Sequence, residues 1–180
     1  MIGDKMLAAV FQAPREIVVQ EVPMPRIESG DALIRVIECG ICGSDLHSYA
    51  TGRYITKGQV MGHEFVGEVA ALGDKVTGLA VGDRVTGFYA GVCGDCFWCR
   101  RGESILCPSL FGDSTGYGRP GAFAEYLAVS SAVVGQNVWH VPASLDDDAA
   151  ATVEPVAGAV NAVATDGVGP GDSVVVLGAG

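Results

Sequence analysis

Four of the chain's six cysteines, Cys93, Cys96, Cys99 and Cys107, fall within 15 consecutive residues at the spacing C-x2-C-x2-C-x7-C. Two-residue gaps suit a full set of mutual disulfides poorly, because the Cα separations that bridges require cannot all be met at once. The same gaps let tight turns aim three thiolates at one point while a longer loop returns the fourth, which is the geometry of a closed tetrahedral zinc site. The pattern predicts a structural zinc in a lobe over residues 91–108. An iron–sulfur cluster and plain reduced or disulfide-bonded cysteines are the competing readings. Arg100 and Arg101 lie beside the four sulfurs, where their charge would favour the thiolate forms.

What surrounds the lobe reads as short strands. Residues 5–11, 15–22, 31–38, 64–72, 82–88 and 122–129 are apolar or β-branched runs bounded by glycine- or proline-containing turns, predicted here as antiparallel strands. Glycine supplies 26 of 180 residues, about twice the usual ~7%, scattered as tight turns rather than periodic. After Pro142 the texture changes. Ser144 is placed to cap a turn rich in Asp146, Asp147 and Asp148, and an Ala/Val-rich segment from Ala149 to Thr165 has helical composition with an acidic start. Residues 173–177 (SVVVL) form a continuous apolar run, the signature of a parallel strand buried on both faces.

The expected architecture is mainly β: a barrel over residues 1–145 that carries the zinc lobe, followed by a connecting helix and a first α/β strand over 146–180. At 49% hydrophobic residues the chain can offset its folding entropy, which excludes disorder. The formal charge of −10 repels phosphate backbones, so no nucleic-acid partner is expected and a small molecule is favoured. No stretch approaches the ~18 apolar residues of a membrane span. Asp4 and a strand-like continuation run against a signal peptide, so the chain reads as cytoplasmic.

A second ligand set is more open. The sequence C-G-I-C-G-S-D-L-H ends the strand 31–38, and about twenty residues on comes G-H-E with His63 and Glu64. Cysteine and histidine are an ordinary zinc pair, and a catalytic centre needs only one further protein ligand. Singly, His63 also reads as a satisfied or exposed histidine and Cys42 as a buried thiol. Cys39 stands at C-x-x-C spacing from Cys42 without the βαβ context of a redox pair, and His140 reads as structural or exposed.

Taken in order, C-G-S-D-L-H at 42–47, G-H-E-F-V-G at 62–67, G-D-R-V at 82–85 and the four-cysteine lobe resemble the zinc-dependent medium-chain alcohol dehydrogenase family over essentially the whole chain. The resemblance implies a GroES-like catalytic domain followed by a Rossmann coenzyme domain, two zinc ions per chain and NAD or NADP as coenzyme. It implies Cys42 and His63 as ligands of a catalytic zinc, Glu64 as a labile or neighbouring carboxylate, and Asp45 accepting the second ring N–H of His63. Ser44 would reach the substrate oxygen, and His47 would pass the proton to solvent.

No cysteine follows Cys107, and A-T-V-E-P-V at 151–156 resembles the polyol and threonine dehydrogenase branch, so Glu154 is the expected third ligand. Its alternative is an acidic residue in a first helical turn. The substrate would be an alcohol or polyol. Gly178 and Gly180 resemble the start of a coenzyme glycine motif that stops there, so residues 1–180 by themselves are expected to be inactive and not to bind NAD(H). The longer enzyme would be a homo-oligomer, and the apolar 173–177 segment would dock or pair, promoting self-association. The competing class is a non-enzymatic zinc-binding β-barrel module.

Overall fold

The computed structural model describes residues 3–88, 90–110 and 112–178. Among the described residues seven strands, β1 (Lys5–Ala13), β2 (Glu16–Pro23), β3 (Ala32–Gly40), β4 (Glu64–Leu72), β5 (Arg84–Gly87), β6 (Tyr126–Val129) and β7 (Val138–His140), are all paired antiparallel. Five of them form a sheet in the order β6-β3-β4-β5-β7, and β1 and β2 form a separate hairpin. Isolated bridges Ala8↔Ala124 and Val10↔Val60 stitch the hairpin to the larger sheet. The result is the mainly β architecture expected from the glycine-punctuated runs.

The strand pattern follows burial. Along β1 Met6, Ala8 and Val10 are buried while Lys5 and Leu7 are exposed, the period-two alternation of a strand with one covered face. Ile34, Val69, Val85, Val138, Leu127 and Phe65 form the main core across the five-stranded sheet. Arg35 and Glu68 stand opposite each other on β3 and β4 and pair at 3.0 Å. Register shifts between Leu33 and Ile34 and between Val36 and Glu38 interrupt the β3–β4 ladder; bulges of this kind bend a strand and raise its twist. They carry the end of β3 toward the beginning of β4, which sets Gly40 opposite Glu64.

Three helices follow the motifs: α1 (Gly43–Thr51), α2 (Asp147–Ala151) and α3 (Val153–Thr165). The expected continuous helix over 149–165 is divided at Thr152. Pro155 has no N–H and its ring excludes the carbonyl of Ala151 from helical geometry, so α2 ends there and Pro155 sits in the first turn of α3, where it costs nothing. The cap of α2 is Asp146, whose carboxylate accepts the Ala149 N–H at 2.8 Å, rather than Ser144. Ala150 and Ala151 complete a core cluster with Val66 and Val141, and Arg84 reaches Asp147 at 2.5 Å and the Leu145 carbonyl at 3.0 Å. By contrast α3 buries none of its residues.

The expected strand at 173–177 is not one. The segment has no ladder partner among the described residues, and Val175 and Leu177 are 84% and 94% exposed. Within this chain it neither packs on the barrel nor joins a ladder, because a parallel strand needs neighbours on both sides and the described residues supply none. Gly178 follows it in open space with φ 98°, and Gly180 lies outside the described residues. No helix among the described residues is long and apolar enough to cross a membrane.

Candidate active site

The C-G-S-D-L-H segment becomes the start of α1. Cys42 is its N-cap, with extended φ/ψ, and the Asp45 carboxylate reaches back to accept the Cys42 N–H at 3.0 Å, satisfying a donor at the helix entrance. The helix closes at Gly52, which adopts the left-handed conformation (φ 72°) that favours glycine. This capping puts the Cys42 thiol at the mouth of the turn and turns Asp45 inward, where it is 4% exposed.

His63 and Glu64 come from the entry to β4 and are buried beside it. The ligand atoms of Cys42, His63 and Glu64 all lie within 4.8 Å of one another. A thiolate, an imidazole and a carboxylate at that separation fit a divalent borderline-soft cation, and a three-ligand set leaves a coordination position free for substrate. Asp45 Oδ1 stands 3.7 Å from His63 Nδ1, facing the ring but beyond hydrogen-bond length. Burial pushes the Asp45 carboxyl up, against the pull of His63 and of backbone N–H donors from Cys42 and Gly62.

Gly40 has a specific reason to be glycine. The Glu64 carboxylate lies over its Cα, where a Cβ would collide with Glu64 Oε2. Gly40→Ala is therefore expected to displace that carboxylate and to raise the rate of metal loss to a chelator by about 10- to 100-fold, the scale of a disturbed ligand environment. Unchanged release kinetics would remove Glu64 from the site.

Glu154 sits in the first turn of α3, half-buried. Burial raises its carboxyl, with His63 lowering it and Glu64 raising it further, so it senses the site's charges. Its oxygens stay outside the compact group formed by Cys42, His63 and Glu64, and it lines a neighbouring cleft of about 620 Å³ with Trp139 and Phe88. Cys39 is a half-buried thiol pushed up to about 12, first by its desolvation and then by Asp45. It is unbridged, as is Cys42. His140 Nε2 donates to Gly78 O, 2.9 Å away at the sheet edge, remote from these groups in role.

Ser44 and His47 both line a cleft of about 710 Å³ together with Ser48, Tyr54, Tyr117 and two glycines. His47 is exposed, with its ring 6.2 Å from that of Tyr54. Ser44 is engaged by a residue that sequence reasoning missed: the Tyr117 hydroxyl donates to Ser44 Oγ at 2.6 Å, and the Tyr117 ring lies 5.5 Å from that of His63. The only trace of it in the sequence is a tyrosine between glycines in T-G-Y-G, 73 residues away from Ser44.

In the lobe, Cys93, Cys96, Cys99 and Cys107 also bring their sulfurs within 4.8 Å of one another. Cys93 Sγ and Cys107 Sγ are 3.7 Å apart, close to the ~3.8 Å edge of a tetrahedron with 2.3 Å metal–sulfur bonds. Two short 3-10 turns, Cys99–Arg101 and Ser104–Leu106, carry the return loop, and Gly94 and Gly102 supply its left-handed corners. The backbone N–H of Cys93 draws the Cys107 thiol down to about 6, and that of Cys99 lowers Cys96. Asp95 pushes Cys93 up to about 12, and burial raises Cys99. Thiolate character thus comes from backbone donors. The Arg101 guanidinium is directed instead at Glu103, 3.7 Å away, and over the Phe97 ring.

A family model described as the alcohol dehydrogenase GroES-like domain matches residues 28–142. The sorbitol dehydrogenase of Bacillus subtilis is 36% identical over 185 residues, covering 99% of this chain and 50% of that protein. The L-threonine 3-dehydrogenase of Mesorhizobium japonicum is 41% identical over 184 residues, covering 98% and 51%. Among solved structures, the alcohol dehydrogenase TADH from Thermus sp. ATN1 superposes with a TM-score of 0.83 at 37% identity, over 93% of this chain and 49% of its own. The chain spans about half the length of the curated relatives it matches.

Proposed function

Because the chain belongs to the alcohol dehydrogenase GroES-like domain family, we propose that residues 1–145 are the catalytic domain of a zinc-dependent, NAD(P)-linked dehydrogenase oxidising an alcohol or polyol to a carbonyl compound. Residues 146–180 lead from it into a coenzyme-binding domain. The observation that carries this reading is the convergence of Cys42, His63 and Glu64 beside a cleft that also presents Ser44 and His47.

Bound zinc would lend Lewis-acid polarisation to the substrate oxygen, and a bound nicotinamide would accept hydride. Cys42, His63 and a carboxylate from Glu64 or Glu154 would hold the metal. Asp45 steadies the Nδ1 side of the His63 ring and so sets its orientation. Ser44 takes the proton of the substrate hydroxyl as it passes its own on, and His47, exposed at the cleft, hands a proton to solvent. Cys93, Cys96, Cys99 and Cys107 would hold the lobe zinc, and an all-thiolate set of four is the donor set of a structural site. A non-enzymatic zinc module would have no use for hydroxyl and imidazole groups gathered beside its second metal set.

The test is spectrophotometric. The zinc-loaded full-length gene product, coenzyme-binding domain included, should reduce NAD or NADP in the presence of a member of a panel of secondary alcohols, polyols and threonine, and chelation followed by zinc should abolish and then restore the signal. Absence of coenzyme reduction across the panel with both metal sites filled would refute the dehydrogenase reading.

A further inference from the structure

We propose that Tyr117 is a positioning residue for the proton-transfer step: by donating its phenolic hydrogen to Ser44 Oγ it fixes the direction in which Ser44 accepts and gives up a proton. The inference rests on the role assigned to Ser44 above. A serine hydroxyl has two acceptor lone pairs and one hydrogen, and its rotor has three staggered wells. The 2.6 Å bond from Tyr117 occupies one lone pair. The second lone pair is then left for the substrate hydroxyl and the Ser44 hydrogen for the group that carries the proton away. No proton is created or lost in this arrangement: one arrives at Oγ as one leaves it.

The loop around Tyr117 is built to hold that aim. Gly116 N donates to Arg119 O at 2.9 Å, and Tyr117 N and Arg119 N both donate to Ser114 O, at 3.1 and 3.0 Å. Ser114 is fully buried beneath this turn. Gly116 has φ 82°, and a side chain there would press within 2.9 Å of the Gly62 carbonyl, immediately before His63. A Cβ on Gly118 would collide with the Gly112 carbonyl. The tyrosine therefore projects from a turn locked against the same segment that carries His63, and its ring packs near that imidazole while its hydroxyl meets α1. A phenol that served only to fill space would not need its oxygen on Ser44.

The experiment is a double-mutant cycle with Tyr117→Phe and Ser44→Ala, which removes the two hydroxyls and keeps the ring. Tyr117→Phe alone should lower kcat about three- to tenfold, since a freed hydroxyl shared among three wells loses at least about a factor of three, with KM and zinc content unchanged. In the Ser44→Ala background the same change should have no further effect. In urea unfolding the two substitutions should be non-additive by about fivefold in the unfolding constant, the size of a typical net hydrogen bond.

Independent, multiplicative losses in kcat would overturn the proposal, as would a change in KM alone, which would make Tyr117 a wall of the cleft. Additive unfolding constants would overturn it whether or not turnover is found. If no alcohol is oxidised at all, the dehydrogenase reading fails, and the unfolding cycle still decides whether Tyr117 holds Ser44.

Discussion

Replacement of Cys107 by serine is expected to empty the lobe of metal and to unfold residues 93–107 while leaving the barrel intact. Cys107 is the buried member of the four and the sulfur that receives the Cys93 N–H, so it anchors the return loop to the first turn. The lobe has little else to hold it: Phe97, Ile105 and Leu106 are exposed, and its helical turns are three residues each. Metal binding by such a segment is its folding free energy, of order 10–16 kcal/mol for structural zinc in isolated modules. Elemental analysis should show zinc falling from about two per chain to about one, and limited proteolysis should cut within 93–107. Full metal content with a protease-resistant lobe would refute a structural zinc. The main core draws on β3, β4, β5, β6 and β7 and contains no lobe residue, which is why the barrel should survive.

The second large effect is expected at His63. His63→Ala removes a buried ligand from a three-member set, and Cys42 and Glu64 alone present too few donors to retain a catalytic zinc. Loss of several kcal/mol of polarisation at the substrate oxygen corresponds to a fall in kcat/KM of about a thousandfold or more. The lobe zinc should remain, so the metal count should again drop by about one. Asp45→Asn is the graded companion. It keeps the size of the group 3.7 Å from Nδ1 but removes its charge, and should cost about 10- to 100-fold in metal affinity or turnover. A His63→Ala protein that keeps both metals and its activity would dissolve the assignment.

Glu64 and Glu154 separate through topology. The β3–β4 pairing sets Glu64 opposite Gly40 and turns its carboxylate over that glycine, inside the ligand group. Glu154 arrives from α3, which follows a proline-enforced break and packs no residue into the core, and its oxygens stay outside the group. If Glu64 supplies the third ligand, Glu64→Gln should release the metal and Glu154→Gln should retain it. The reverse result would give the role to Glu154.

Features with local causes were legible in the amino-acid sequence alone. Two-residue gaps between cysteines force tight turns, so the convergence of Cys93, Cys96 and Cys99 needs no distant information. Cys42, Ser44, Asp45 and His47 lie within one and a half helical turns, and their mutual placement follows from the helix itself. Period-two burial in β1 and the glycine-bounded runs marked the strands for the same reason. Tertiary structure decided what depends on long-range approach. Tyr117 meets Ser44 across 73 residues because a glycine-locked turn lies against Gly62, a contact with no local signature. The run 173–177 has the composition of a buried strand, yet a strand exists only when another backbone satisfies its N–H and C=O groups, and composition cannot supply that partner.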